Sequence, residues 1–166
     1  MPAAPVVDEF AKLYKQEMPF LTRFLMRLGA SPYEAADAAH EAFIAALPDK
    51  WESLEFPRAW LRTTAHRCYL KQNDRRTRPV DPVPDRPGGT CPVATVTLKE
   101  GNQRVLDALA QLPPTQQQVM AWAQDGFTYE ETSKALEMTV AAVRQNHCRA
   151  RTRLKQILGL QTGGTQ

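Results

Sequence analysis

Apolar residues in the first part of the chain recur at three- and four-residue spacing rather than alternating. Phe10, Leu13, Tyr14, Phe20, Leu21, Phe24, Leu25 and Leu28 trace a helix that Gly29 ends, with Pro19 predicting a kink or restart. Ser31, Pro32 and Glu34 then supply a cap hydroxyl, a first-turn proline and an acid at the positive end of the helix dipole. This second helix reaches about Leu47, and Pro48 stops it. A short loop, Asp49 to Phe56, leads to Pro57 and a third helix through about Arg76. The expected wheel of that helix puts Leu61, Ala65, Cys68 and Gln72 on one face and Arg62, Thr63, His66 and Arg67 on the other.

The later part reads the same way. A helix from about Leu98 to Gln111 turns Val105, Leu106 and Leu109 inward, and Leu112-Pro113-Pro114 breaks it. Thr115 is the expected cap of the next helix, Gln116 to Gln124, which Asp125-Gly126 ends. Thr128-Tyr129-Glu130-Glu131 fits a capping box opening a short helix to Leu136. After the turn at Glu137-Met138, Thr139 caps a final helix to about Leu158, with Gly159 as its stop. Two helices joined by a short turn, the second long and basic, form a helix-turn-helix pattern.

Between the two blocks, Pro79, Pro82, Pro84, Pro87 and Pro92, with Gly88 and Gly89, favour extended backbone over about 79–96. The expected fold class is therefore all-α. A three-helix domain (1–78) and a four-helix domain with a helix-turn-helix (97–160) are joined by a proline-rich linker, and 161–166 read as a disordered tail.

The 166 residues suffice for one ordinary domain or two very small ones. The formal charge of +3 decides little, but its distribution does. Arg58 to Arg78 holds seven Lys or Arg and one acid, Asp74, and Thr139 to Lys155 holds five and no acid. Two basic stretches, each ending a helical block, point to a polyanion partner rather than to merely solvated helix faces. On the final helix, Val143, His147, Ala150 and Leu154 form the core stripe. Gln145, Cys148, Arg149 and Thr152 lie opposite, flanked by Arg144 and Lys155. Amides and guanidiniums are the groups that suit base edges and phosphates in a major groove.

Cys68, Cys91 and Cys148 are scattered and form no C-x-x-C pair, so reduced thiols and no metal site are expected. The N-terminus lacks the basic-then-apolar order of a signal peptide, and no apolar run approaches the roughly 20 residues of a membrane span. A cytoplasmic protein without a cofactor or stable membrane insertion is the expectation.

These residues carry a resemblance to the extracytoplasmic-function group of sigma-70-type RNA polymerase sigma factors, over about Phe10 to Leu158. Asp37, Glu41 and Phe43 fit a D-x-x-Q-E-x-F stretch in which His40 replaces Gln. Phe56 to Leu61, then Ala65-His66-Arg67, resemble F-x-x-W-L…A-R-N, and Arg75, Arg76 and Arg78 its basic tail. Leu106, Leu109 and Leu112-Pro113 resemble L-x-x-L-P, Gly126 to Glu131 the G-x-s-x-x-E segment, and Val143 to Leu154 V-K-S-R-x-x-R-A-R-x-x-L. The chain departs from the family's habit at Gln117, Thr132-Ser133 and Ala142.

The resemblance implies a protein, not itself an enzyme, that binds core polymerase through the beta-prime clamp helices and the beta flap, and directs it to promoter DNA. It assigns Asp37, His40, Glu41 and Phe43 to the polymerase. It assigns Trp51, Arg58, Arg62, Thr63, His66, Arg67, Lys71, Arg75 and Arg76 to the −10 element and its melted strand, with Trp51 as ordinary core the competing reading. Thr139, Arg144, Gln145, Cys148, Arg149, Thr152 and Lys155 fall to the −35 duplex. An anti-sigma partner is compatible with it. Rival readings are a free-standing helix-turn-helix regulator and a decayed sigma-like protein that binds polymerase and initiates nothing. Clustered carboxylates, a phosphate-cradling glycine loop and a Ser/Cys–His set are all missing from the sequence, which speaks against a nuclease or helicase accessory.

Overall fold

The computed structural model describes residues 4–47, 50–77 and 100–160. The linker 79–96, Arg78 and the tail 161–166 lie outside them. The described residues form seven α-helices and one 3-10 turn, with no strand among them. The all-α expectation is met. An N-terminal unit is built on α1 (Ala4–Arg27), α2 (Pro32–Ala46), the 3-10 turn Trp51–Ser53 and α3 (Pro57–Thr77). A C-terminal unit is built on α4 (Glu100–Ala110), α5 (Pro114–Gln124), α6 (Tyr129–Leu136) and α7 (Val140–Ile157).

In the N-terminal unit α1 runs unbroken through Pro19 rather than restarting. Pro19 and Lys15 are both exposed, so the carbonyl that loses its i+4 donor faces water. Gly29, at φ 103, closes α1 as its left-handed residue: its own N–H donates to Met26 O at 3.0 Å and the Ala30 N–H to Leu25 O at 3.1 Å. The Ser31 and Glu34 side chains cap α2 reciprocally, with Glu34 N–H donating to Ser31 Oγ at 3.3 Å and Ser31 N–H to Glu34 Oε2 at 3.1 Å. The inner face of α2 carries Ala35, Ala36, Ala38, Ala39, Ala42 and Ala46. Their small side chains let α3 approach closely, and α2 and α3 pack together over a long seam.

The inward face of α3 differs from the sequence reading. It is Leu61, Arg62, Ala65 and Tyr69 that are buried, while Cys68 and Gln72 are half-buried. At about 100° per residue, Arg62 lies roughly 20° from Tyr69 and 60° from Ala65, so a stripe through Tyr69 takes the arginine inside.

The C-terminal unit packs Ala108, Leu109, Leu112, Met120, Ala150 and Leu154 into one cluster. Val105, expected inside, is exposed, and Ala108 takes its place. Helix α5 begins at Pro114 with no side-chain cap, so Thr115 lies within the helix instead of opening it. The Thr128–Glu131 capping box opens α6 as expected, and the Thr139 hydroxyl accepts from Ala142 N–H at 3.1 Å to open α7. Between them Glu137 takes up left-handed backbone at φ 54, a conformation that costs most side chains about 1–2 kcal/mol. Gly159, at φ 70, ends α7.

Candidate nucleic-acid interface

The outer face of α7 follows from its inner one. Val143, Ala150 and Leu154 are buried, so Arg144, Gln145, Cys148, Arg149 and Thr152 are exposed, together with Arg151 and Arg153. Lys155 is half-buried. No acid lies anywhere on the helix. His147, expected in the core stripe, is only half-buried: Nδ1 is joined to the Tyr129 hydroxyl by a 2.8 Å hydrogen bond. Burial, and after it the Arg151 charge, hold this imidazole below its ordinary value.

Arg144, Cys148, Thr152 and Lys155 line one open groove of about 390 Å³ with Tyr129, His147 and Arg151. Gln145 and Arg149 occupy the neighbouring exposed strip. Thr139 stands apart from both, its hydroxyl committed to the cap. The Thr152 hydroxyl donates back to Cys148 O at 3.1 Å. Of the groove residues, Tyr129, His147 and Arg151 are those the sequence reading did not assign to DNA, and Tyr129 lies outside the reading helix altogether. It sits at the first position of α6, and the Arg144 guanidinium carbon lies 5.9 Å from its ring centroid.

The basic helix α3 is more divided. Arg62 is 0 % exposed and donates to Glu17 Oε2 at 2.8 Å and to Arg58 O at 3.1 Å, so it cannot lie on a phosphate track. Arg58 is exposed, but its Nε donates to Glu17 Oε1 at 2.9 Å. Glu17 lies on the apolar stripe of α1, between Tyr14 and Leu21, where a buried acid needs a cationic partner. Thr63 is half-buried with its hydroxyl donating to Ala59 O at 3.2 Å. His66 is half-buried, and desolvation holds it below its ordinary value. Arg67, Lys71 and Arg75 are exposed at four-residue intervals and form one stripe. Arg76 is exposed too and pairs with Glu34, the capping acid of α2.

On α2, Asp37 and Glu41 are exposed one turn apart. Glu41 reaches the α2–α3 seam, where burial first, and the adjoining Glu41 carboxylate after it, push the Cys68 thiol up. His40 is half-buried, with Nδ1 joined to the Tyr14 hydroxyl at 3.0 Å. Phe43 is 2 % exposed, its ring edge-to-face with Tyr14 at 5.0 Å and Phe10 at 6.0 Å. It holds α2 against α1 and offers no surface to a partner. Trp51 is half-buried, edge-to-face with Phe10 at 5.5 Å. At the end of the same loop Phe56 is 59 % exposed, an aromatic face in the open. No helix among the described residues is long and apolar enough to cross a membrane, and no cluster of three or more His, Cys, Asp or Glu there could hold a metal.

Residues 13–78 match a family model described as sigma-70 region 2, and residues 102–154 one described as sigma-70, region 4. No curated protein matches the chain in sequence. Among solved structures, the sigma factor RpoE in complex with the anti-sigma factor NepR from Bartonella quintana aligns at TM-score 0.69 and 20 % identity, covering 92 % of this chain and 98 % of that one. CnrH in complex with the cytosolic domain of CnrY aligns at TM-score 0.63 and 22 % identity, covering 92 % and 89 %.

Proposed function

The chain belongs to the sigma-70 family of RNA polymerase sigma factors, and we propose that it falls in the extracytoplasmic-function group and that its surfaces divide the work as follows. Helix α7 reads the −35 duplex in the major groove. The observation that carries this is its acid-free exposed face behind a capped helix and a tight turn. Arg144, Gln145 and Arg149 face base edges; Arg151, Arg153 and Lys155 face phosphates.

The N-terminal unit meets the −10 element. Arg67, Lys71 and Arg75 form its phosphate stripe, a narrower set than the sequence reading gave. Trp51 and Phe56 flank the loop that receives an unstacked base. Unstacking costs a few kcal/mol, and an aromatic face returns about 1–3 kcal/mol per base. Asp37, His40 and Glu41 dock on the polymerase clamp, with the 79–96 linker spanning the enzyme between the two units. The chain has no active site of its own and works in the cytoplasm, where an anti-sigma protein, of the kind bound to RpoE in the first of the similar structures, would compete for the same faces.

In-vitro transcription with bacterial core polymerase on genomic fragments tests this. Discrete start sites that depend on added chain are expected. Their absence, combined with promoter binding by the chain alone in a mobility shift, would turn the reading to a free-standing regulator.

A further inference from the structure

We propose that Tyr129, on the helix preceding the reading helix, is a positioning residue for −35 recognition: its ring face fixes the direction of the Arg144 guanidinium. This inference rests on the reading of α7 as the duplex-binding helix and names a specificity determinant for it outside that helix.

Three observations meet at this side chain. The first is its own anchorage. Tyr129 opens α6 directly after Thr128, whose hydroxyl accepts from Glu131 N–H at 3.2 Å while Glu131 Oε2 accepts from Thr128 N–H at 2.7 Å. The backbone that carries the ring is thus tied at both ends of the first turn. The second is the hydroxyl, held at 2.8 Å by His147 Nδ1 on α7. A tyrosine fixed at its Cα and at its Oη has little freedom left in χ1 or χ2. The third is Arg144, whose guanidinium carbon lies 5.9 Å from the ring centroid, within the range of a cation–π contact.

An exposed arginine on a bare helix samples many rotamers, and a bidentate hydrogen bond to guanine requires one planar orientation. Alignment against a fixed ring removes part of that ordering cost before DNA arrives. Arg144 is exposed, and Arg151 and Lys155 line the same groove beside the ring.

The test uses holoenzyme assembled from core polymerase and the full chain. It selects from a pool of duplex fragments carrying one mapped promoter with a randomised −35 element. Arg144→Ala should flatten the base preference at one or two positions. Tyr129→Leu should flatten those same positions by about two- to fivefold, the range of an exposed cation–π contact. Tyr129→Phe, which keeps the ring but loses its anchor to His147, should flatten those positions less than Tyr129→Leu does. Tyr129→Gln serves as a second ring-less variant should the leucine fail to fold, and the same outcomes apply to it.

A purely structural role predicts uniform loss over all sequences, so a ring-less variant that keeps wild-type preference at the Arg144 positions overturns the proposal. Equal flattening by Tyr129→Phe overturns it as well. If Arg144→Ala itself changes no preference, the reading of α7 falls and takes this inference with it. Altered preference in Arg144→Ala beside unaltered preference in Tyr129→Leu removes the inference alone.

Discussion

Arg62, with no exposed surface, donates to Glu17 Oε2 at 2.8 Å, and the same carboxylate accepts Arg58 Nε at 2.9 Å through its other oxygen. The pair ties α3 to α1. Removing one partner of a buried pair leaves an uncompensated charge and typically costs about 3–5 kcal/mol, whereas an apolar pair of similar volume is often neutral or stabilising. Glu17→Ala is therefore expected to lower the urea midpoint of the N-terminal unit sharply, and Glu17→Leu combined with Arg62→Met to restore it. A Glu17→Ala midpoint equal to wild type would show that the pair holds nothing.

Phe43 and Glu41 lie two residues apart on α2 and should fail differently. Phe43→Ala empties a packed site between Tyr14 and Phe10, a change that costs about 3–5 kcal/mol in other cores. Glu41→Arg alters an exposed carboxylate at the edge of the α2–α3 seam, and its expected effect is weaker pull-down of core polymerase with a much smaller loss of stability than Phe43→Ala. Normal pull-down by Glu41→Arg would remove Glu41 from the clamp contact.

Two histidines give the fold a pH dependence of predictable sign. Burial holds His66, and burial together with Arg151 holds His147, below the ordinary 6.5. The unfolded chain then takes up protons first as the pH falls through 6.5, so stability declines below that value and levels off once the folded-state imidazoles protonate. Comparison of urea midpoints at about pH 7.5 and about pH 5.5 should show a smaller drop in His66→Gln than in wild type for the N-terminal unit. His147→Gln should do the same for the C-terminal unit, and equal drops in variant and wild type would refute the assignment.

Glu137 holds left-handed backbone at φ 54 in the turn between α6 and α7. Glycine adopts that region freely, though it gives the unfolded chain more entropy to lose. The balance favours Glu137→Gly by less than about 1 kcal/mol, readable as a small rise in the C-terminal unit's thermal midpoint. A fall would mean that the Glu137 side chain contributes more than its backbone costs.

What was legible in the sequence was mostly local. The caps at Ser31, Thr128 and Thr139 and the stops at Gly29 and Gly159 depend on neighbours within one turn, and all five are present. The face of α3 was misread because its decisive partner, Glu17, lies 45 residues upstream of Arg62. Charge argued for solvent, and only the position of Glu17 on an apolar stripe hinted otherwise. The motif alone marks Phe43 as a contact residue, although its four- and three-residue spacing from Ala39 and Ala46 marks an inward face. Tyr129 escaped notice for a related reason: its role arises across a turn, through residues 15 and 18 positions later that no single-helix wheel brings beside it.

Trp122 has a use that its packing alone does not suggest. It is 3 % exposed, with its ring 4.8 Å from Phe127 at 66°, and it is the C-terminal unit's one tryptophan among the three in the chain. Trp51 and Trp60, both half-buried, belong to the N-terminal unit. The protein therefore carries its own fluorescent labels, one set per unit. With Trp51 and Trp60 replaced by phenylalanine, the remaining emission reports on the helix-turn-helix unit alone, and replacing Trp122 instead leaves a signal from the −10 unit.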